Sequence, residues 1–410
     1  MKRILLATTA LCFGAGTAVA QDMGMAPMLK LSGEAEMGVA GSKDDDARFH
    51  TDMDVTFKAT GMMDGGVSWS ADVDLDEVSD DTNTTAGPPA QTVDAATQDD
   101  DDDGGVTISI SQPEGFGTLT MGDTDGALDW AMTEIGSGGI RSDSEHAAYS
   151  GNNGLDTEYD GQVLRYDRAI GSGFSFGASV MLDDDTGGTE GSDTADPIIG
   201  LGGQYAMPMA GGMLTLGAGY QAGEYDNEVS SLDSVADRYS EKADAQAVGA
   251  SAKMDFGGDA GGFSVILNGS MIDADGSVTS GEGSAARTST LDLEGTHFGL
   301  GLGYTVGAVS LGVNVGSING EAVYDPDNRT VTAAQSDRIL GDVTVTGVGF
   351  DAAYDLGGGA SLQFGIGSSE TEYDHTREAD GTNPGRTTAS VTGDSNTDTY
   401  KWSLGVAFKF

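Results

Sequence analysis

Apolar and polar residues alternate one by one along most of this chain. Leu29, Leu31, Ala35, Met37 and Val39 share one parity, and Lys30, Ser32, Glu34 and Glu36 share the other. Side chains two apart lie on one face of a strand, so such a stretch predicts a β-strand with one apolar and one polar face. The pattern returns as Phe49, Met53, Val55 and Phe57 against Arg48, His50, Asp52, Asp54 and Lys58. It returns again as Val67, Trp69, Ala71, Val73 and Leu75 against Ser68, Ser70, Asp72 and Asp74. Wound as helices, all three stretches would carry charge inside their apolar stripe. The last stretch runs to the final residue, with Tyr400, Trp402, Leu404, Val406, Phe408 and Phe410 on one face and Lys401, Ser403, Gly405 and Lys409 on the other.

About sixteen such strands are expected, starting near residues 29, 47, 66, 105, 117, 161, 173, 197, 211, 243, 261, 295, 308, 343, 360 and 398. Their connections alternate in length. Short ones fall at 61–65, 112–116, 171–173, 208–211, 257–261, around Gly307 and at 357–359. Long acidic ones fall at 77–104, 124–160, 183–196, 223–242, 273–294, 319–342 and 371–397. Short turns at one end and long loops at the other, with an even number of strands, are the arrangement of an all-β transmembrane antiparallel barrel, turns periplasmic and loops extracellular. No apolar run after the first twenty residues reaches the roughly 20 needed for a membrane helix. A chain that spans a membrane without such helices must close its strands into a barrel. A Lys or Arg on the lipid face near mid-membrane costs roughly 2–4 kcal/mol, and the apolar parity is almost free of charge. The other parity, rich in Ser, Thr, Asp, Lys and Gly, should line water. Phe57, Tyr205, Phe256, Tyr304, Tyr354 and Phe410 sit near segment ends, where aromatic girdles meet the membrane boundary.

The beginning of the chain changes the compartment. Met1, Lys2 and Arg3 precede an apolar run from Ile4 to about Phe13 and a small-residue site ending Ala18, Val19, Ala20. This order predicts a secretory signal peptide at 1–20, cleaved before Gln21, with 21–410 as one barrel domain. Cys12 lies in that segment, so an exported chain holds no cysteine and no disulfide. With 66 acidic and 19 basic residues the formal charge is −47, which excludes nucleic acid as a partner by repulsion.

Four segments carry a family resemblance: Met28–Glu34 (MLKLSGE), Phe116–Trp130 (FGTLTMGDTDGALDW), Val163–Asp167 (VLRYD) and the terminal Phe410. Together with the signal and the loop asymmetry, they resemble the general porins of Gram-negative bacteria, in particular the glycine-rich, acidic alphaproteobacterial type. The resemblance implies a sixteen-stranded outer-membrane barrel, usually a homotrimer embedded in lipid and lipopolysaccharide. It implies passive diffusion of ions and small hydrophilic solutes, with no covalent step and no cofactor. A third long loop, here about 124–160, is implied to fold into the lumen as a constriction. Its carboxylates Asp125, Asp129 and Glu134 would then face basic wall residues, for which lumen parity offers Lys30, Arg48 and Arg165. Loop 3 also carries Asp143, Glu145, Asp156, Glu158 and Asp160 against Arg141. No dense arginine cluster accompanies them, which favours cation preference; a substrate-selective channel is the alternative. Phe410 resembles the signal read by the outer-membrane assembly machinery.

Other chemistry finds little support. Asp99, Asp101 and Asp103 before Gly104 imitate the start of a calcium loop, but Ile110 stands where the twelfth-position Glu belongs. A loose calcium or magnesium site there, and at Asp44–Asp46 or Asp183–Asp185, competes with plain solvated charge. His50, His146, His297 and His375 are scattered, none at metal-ligand spacing. There is no HExxH, Walker or GxSxG motif, so no enzyme is expected. A barrel enzyme would need a Ser/His pair at the membrane boundary, and a calcium-stabilised β-repeat would need a fixed nonapeptide period.

Overall fold

A computed structural model describes residues 27–43, 46–75, 105–135, 154–156, 162–182, 197–209, 211–230, 238–258, 261–280, 287–326, 338–378 and 391–410. The expected signal peptide, the Asp99, Asp101 and Asp103 cluster, Asp44, Asp45, Asp183–Asp185, and Arg141, Asp143, Glu145, Glu158 and Asp160 of loop 3 lie outside the described residues.

Sixteen strands pair in sequence order, each antiparallel to the next, and the last pairs with the first to close a barrel. They are β1 (Met28–Ser42), β2 (Arg48–Met62), β3 (Ser68–Leu75), β4 (Val106–Gln112), β5 (Gly117–Asp123), β6 (Gln162–Gly171), β7 (Phe174–Met181) and β8 (Ile198–Met209). The circuit continues with β9 (Gly212–Ser230), β10 (Arg238–Gly258), β11 (Gly261–Ser280), β12 (Arg287–Val306), β13 (Val309–Pro326), β14 (Arg338–Gly357), β15 (Ala360–Glu378) and β16 (Val391–Lys409). One helix, α1 (Ala127–Ala131), follows β5. Among the described residues no helix is long and apolar enough to cross a membrane. The strands do the crossing.

The alternation places the apolar parity outside. Met37, Phe49, Leu201 and Phe298 are each at least half exposed, as lipid-facing side chains must be in a barrel considered without its bilayer. Phe174 and Tyr205 stack at 4.2 Å beside the short turns, and Phe256 and Phe263 at 6.4 Å, forming part of a girdle at that end. At the turn 357–359 three consecutive glycines hold φ of 80°, 68° and 87°, which a side chain would strain. The seam is sealed by the chain end. Phe410 N donates to Gly33 O and Gly33 N donates to Phe410 O, both at 3.0 Å. A Cβ on Gly33 would meet the Phe410 ring at 2.8 Å, so that ring lies over a position without a side chain.

One expectation is overturned. The stretches 223–242, 273–294, 319–342 and 371–397 were expected as loops, yet the ladders continue to Ser230 and Arg238, Ser280 and Arg287, Pro326 and Arg338, and Glu378 and Val391. Strands β9–β16 therefore hold 18–21 residues, while β3–β7 hold 7–10. A bilayer needs only about 9–11 residues of a tilted strand. Beyond it the outer face also meets water, so the apolar outer parity lapses while main-chain pairing persists. Among the described residues the wall is tall along β9–β16 and short along β3–β7.

Candidate functional site

After Asp123 the chain turns from the wall into the lumen and lays α1 against β7, β8 and β9. Ala127, Leu128 and Ala131 are fully buried. Around Leu128 gathers a small apolar core inside the barrel, made with Leu155, Val163, Met181, Ile198 and the lumen-facing Ala243, Ala245 and Ala247. Burying one leucine contributes roughly 1.5–3 kcal/mol, so this contact alone gives the loop a preferred seat. The expectation that the whole polar parity lines water is corrected here. Val163, Met181 and Ile198 occupy that parity and are covered by loop 3. A sequence signal existed: each adjoins an apolar lipid-facing neighbour (Leu164, Val180, Ile199), and two consecutive apolar residues mark a strand covered on both faces.

Glycines make the seat flat. A Cβ on Gly202 would stand 1.9 Å from Ala127 O, one on Gly217 1.9 Å from Ala131 O, and one on Gly219 2.6 Å from Leu128 Cα. Gly177 lies under Trp130 and Gly301, on β12, under Ile135.

Polar side chains then pin the loop, one from each of five consecutive strands. Ser179 Oγ of β7 accepts from Ala127 N at 2.9 Å, and Gln204 Nε2 of β8 donates to Trp130 O at 2.6 Å. Ser251 Oγ of β10 accepts from Thr133 N at 2.8 Å, and Asn268 Nδ2 of β11 donates to Thr133 O at 3.2 Å. Between them, Gln221 of β9 is 1% exposed; its Oε1 accepts from Leu155 N at 2.9 Å and its Nε2 donates to the Asp156 carboxylate. Asp156 in turn accepts from Gly126 N at 2.8 Å, tying the two ends of the loop together. These satisfied bonds remove the cost of orphaned buried main-chain groups. None of the five wall residues was singled out from the sequence, because a lone Ser, Gln or Asn at lumen parity carries no signal until the loop is placed upon it.

Burial also sets the charge of the loop. Asp129 is pushed up to about 7, chiefly by burial and then by Glu134, Asp125 and Asp156 nearby, against the pull of Arg165. Asp156 is pushed up to about 6 by burial, opposed by its bonds from Gly126 and Gln221.

Arg165, on the lumen face of β6, stands at the root of loop 3. Its guanidinium donates to Asp125 O at 2.5 Å and lies 3.9 Å from the Asp125 carboxylate, 3.6 Å from Asp167 and 5.9 Å from the Trp130 ring centre. It thus sits beside Asp125. Lys30 and Arg48 belong instead to β1 and β2, which strand order places on the far side of the barrel from β7–β9. That far wall is mixed. Lys58 pairs with Asp72 at 2.9 Å and Lys409 with Glu34 at 2.7 Å. Register sets Lys30 opposite Lys58, Glu34 opposite Asp54, and Glu36 opposite Asp52. Carboxylates therefore stand on both sides of the passage.

A closed barrel with an apolar exterior, a charged lumen and an inward loop after β5 is the setting for the comparison with known families. Residues 7–375 match the family model described as Gram-negative porin. The chain belongs to that family. This porin shares its fold with a porin refined at 1.8 Å resolution, at 21% identity and TM-score 0.51, over 93% of this chain and 100% of that one. It also shares it with the in-vitro folded trimer form of OmpT, an outer membrane protein of Vibrio cholerae, at 12% identity and TM-score 0.50, over 94% and 100%. No curated protein matches it in sequence. As a porin it lies in the outer membrane, crosses it many times, and forms a channel through it.

Proposed function

We propose that this porin is a cation-preferring channel for passive diffusion of ions and small hydrophilic solutes. Its constriction lies between Asp125, Asp129 and Glu134 of loop 3 and the wall bearing Lys30 and Arg48. The observation that carries the preference is that carboxylates line both sides: the loop has its own, and Glu34, Glu36, Asp52, Asp54 and Asp72 crowd the opposite strands. A passage flanked by an excess of one sign of charge raises the local concentration of counter-ions. Arg165, held against Asp125, neutralises part of the loop rather than opposing it across the lumen.

The test is the reversal potential of the refolded protein in a planar bilayer under a salt gradient, with sugars added to gauge solute passage. Replacing Asp125, Asp129 and Glu134 together by their amides should lower the cation preference severalfold. An unchanged reversal potential would remove the loop from the constriction, and block by one solute alone would favour a substrate-selective channel.

A homotrimer is part of the proposal, supported by the trimer form of the structurally similar Vibrio cholerae protein and by the apolar exterior of β3–β7, which offers a face for neighbours. Cross-linking in detergent would read the subunit number.

A further inference from the structure

The strands bring together three residues that sequence spacing keeps apart. His50 and Asp52 are two apart on β2 and share its lumen face; register sets Glu36 of β1 opposite Asp52, hence diagonal to His50, which faces Gly38. One ligand atom from each of Glu36, His50 and Asp52 lies within 4.8 Å of the other two. His50 Nε2 stands 3.5 Å from Glu36 Oε2, and the two side chains keep only 20% and 14% exposure. Asp52 Oδ1 accepts from Met53 N at 2.9 Å, which fixes the carboxylate.

We propose that Glu36, His50 and Asp52 form a binding site for a divalent first-row transition ion on the lumen wall. Bonds of about 2.0–2.2 Å from a tetrahedral ion place its ligands about 3.4 Å apart, so small rotations of the side chains close the set. The His/Glu/Asp composition suits zinc and its neighbours, whereas calcium and magnesium favour all-oxygen sites. Two paired strands supply all three ligands, so the site is preorganised in a way that a loop of aspartates is not. Its electrostatic frame favours a cation. Glu34 and Asp54 face each other one lumen position away, Glu34 being held by Lys409 of β16 at 2.7 Å, while Arg48 lies two residues beyond His50 and opposite Ala40. Like charges directly opposite one another on a ladder are unfavourable, and an ion between Glu36 and Asp52 relieves that repulsion. Three protein ligands leave positions open to lumen water, and a bound ion adds positive charge to the wall of the passage. Only this last effect rests on the channel reading.

Zinc titrated calorimetrically into the refolded full-length protein in detergent, with calcium in excess to occupy the acidic loops, tests the site. The expected result is one binding phase per chain that weakens by at least about tenfold in His50→Gln, the loss seen even when residues supporting a ligand are removed. Glu36→Gln should weaken it comparably. The same isotherm in His50→Gln, or a phase abolished by calcium, would overturn the proposal. Conductance with and without zinc is read in parallel on the same samples. A zinc phase in a protein without channel activity would keep the site and remove the channel, and an active channel without that phase would do the reverse.

Discussion

At Gly202 even a methyl group has no room. The obstacle is the main-chain oxygen of Ala127, 1.9 Å from where the Cβ would stand, and unlike a side chain it has no rotamer in which to move aside. Gly202→Ala must lift α1 from its seat, forfeiting part of the Leu128 contact. The expected cost is about 1–3 kcal/mol, read as a lower unfolding temperature, together with a changed and noisier single-channel conductance. Identical melting and traces would show that the loop does not rest on β8. Asp129 supplies a second residue-scale prediction. Its carboxyl is pushed up to about 7, so it is largely neutral below that pH and charged above it. Cation preference should therefore rise between about pH 6 and pH 8, and Asp129→Asn should flatten that step. The linkage sign for stability runs the other way. A carboxyl raised in the folded protein holds its proton more tightly there than in the unfolded chain, so its contribution is largest in acid and is lost as pH rises through about 7. Wild type and Asp129→Asn reversal potentials with the same pH dependence would remove Asp129 from the ion path.

Among the elements, alternation made the membrane-crossing parts of the strands legible, because lipid on one side and water on the other force a period of two. The upper halves of β9–β16 were not legible. In Asp273–Ser280 and Asn319–Pro326 the outer parity turns polar, with Asp273, Asp275 and Ser277 on β11 and Asn319 and Glu321 on β13, and a ladder whose outer face stands in water lacks the lipid-facing stripe that separates it from a loop. The same reasoning predicts that these extensions are dispensable for crossing. Replacing residues 323–340 by Asn-Gly would close the hairpin on the Ala322–Gly341 pair, with a turn suited to two-residue links. The remaining Val309–Ala322 and Gly341–Gly357 still exceed the roughly 9–11 residues a tilted strand needs. The shortened protein should refold, resist unfolding in detergent and conduct; failure to insert would mean the tall wall is needed for assembly. From its residue pattern loop 3 was legible as a long acidic connection after β5, and its inward fold came only with the porin resemblance. Its seat was hidden because it is built from glycines and from single polar residues on five different strands, which acquire meaning only when register aligns them. His50 was hidden for the same reason: its partner Glu36 lies on another strand.

For the whole molecule, closure depends on one seam, where β1 meets β16 and Phe410 exchanges two hydrogen bonds with Gly33. An open sheet inside a membrane leaves its edge groups without partners, each at a cost of several kcal/mol. Phe410 completes the ladder at the turn end of that seam and covers Gly33 with its ring. The same residue resembles an address read during assembly, and the two roles separate by experiment. Purified protein refolded into detergent or lipid meets no assembly machinery, so deletion of Phe410 there reads closure alone. Two hydrogen bonds at about 0.5–1.5 kcal/mol each, plus the lost ring contact, predict a clear fall in unfolding temperature and slower refolding. Phe410→Leu keeps both main-chain bonds and part of the cover, so it should lose much less in vitro. Measured as outer-membrane abundance in cells, Phe410→Leu tests the address by itself. If it assembles normally while the deletion fails in both settings, closure accounts for the terminal aromatic. If it refolds well in vitro yet fails to accumulate in cells, the ring is read as a signal beyond its place in the seam.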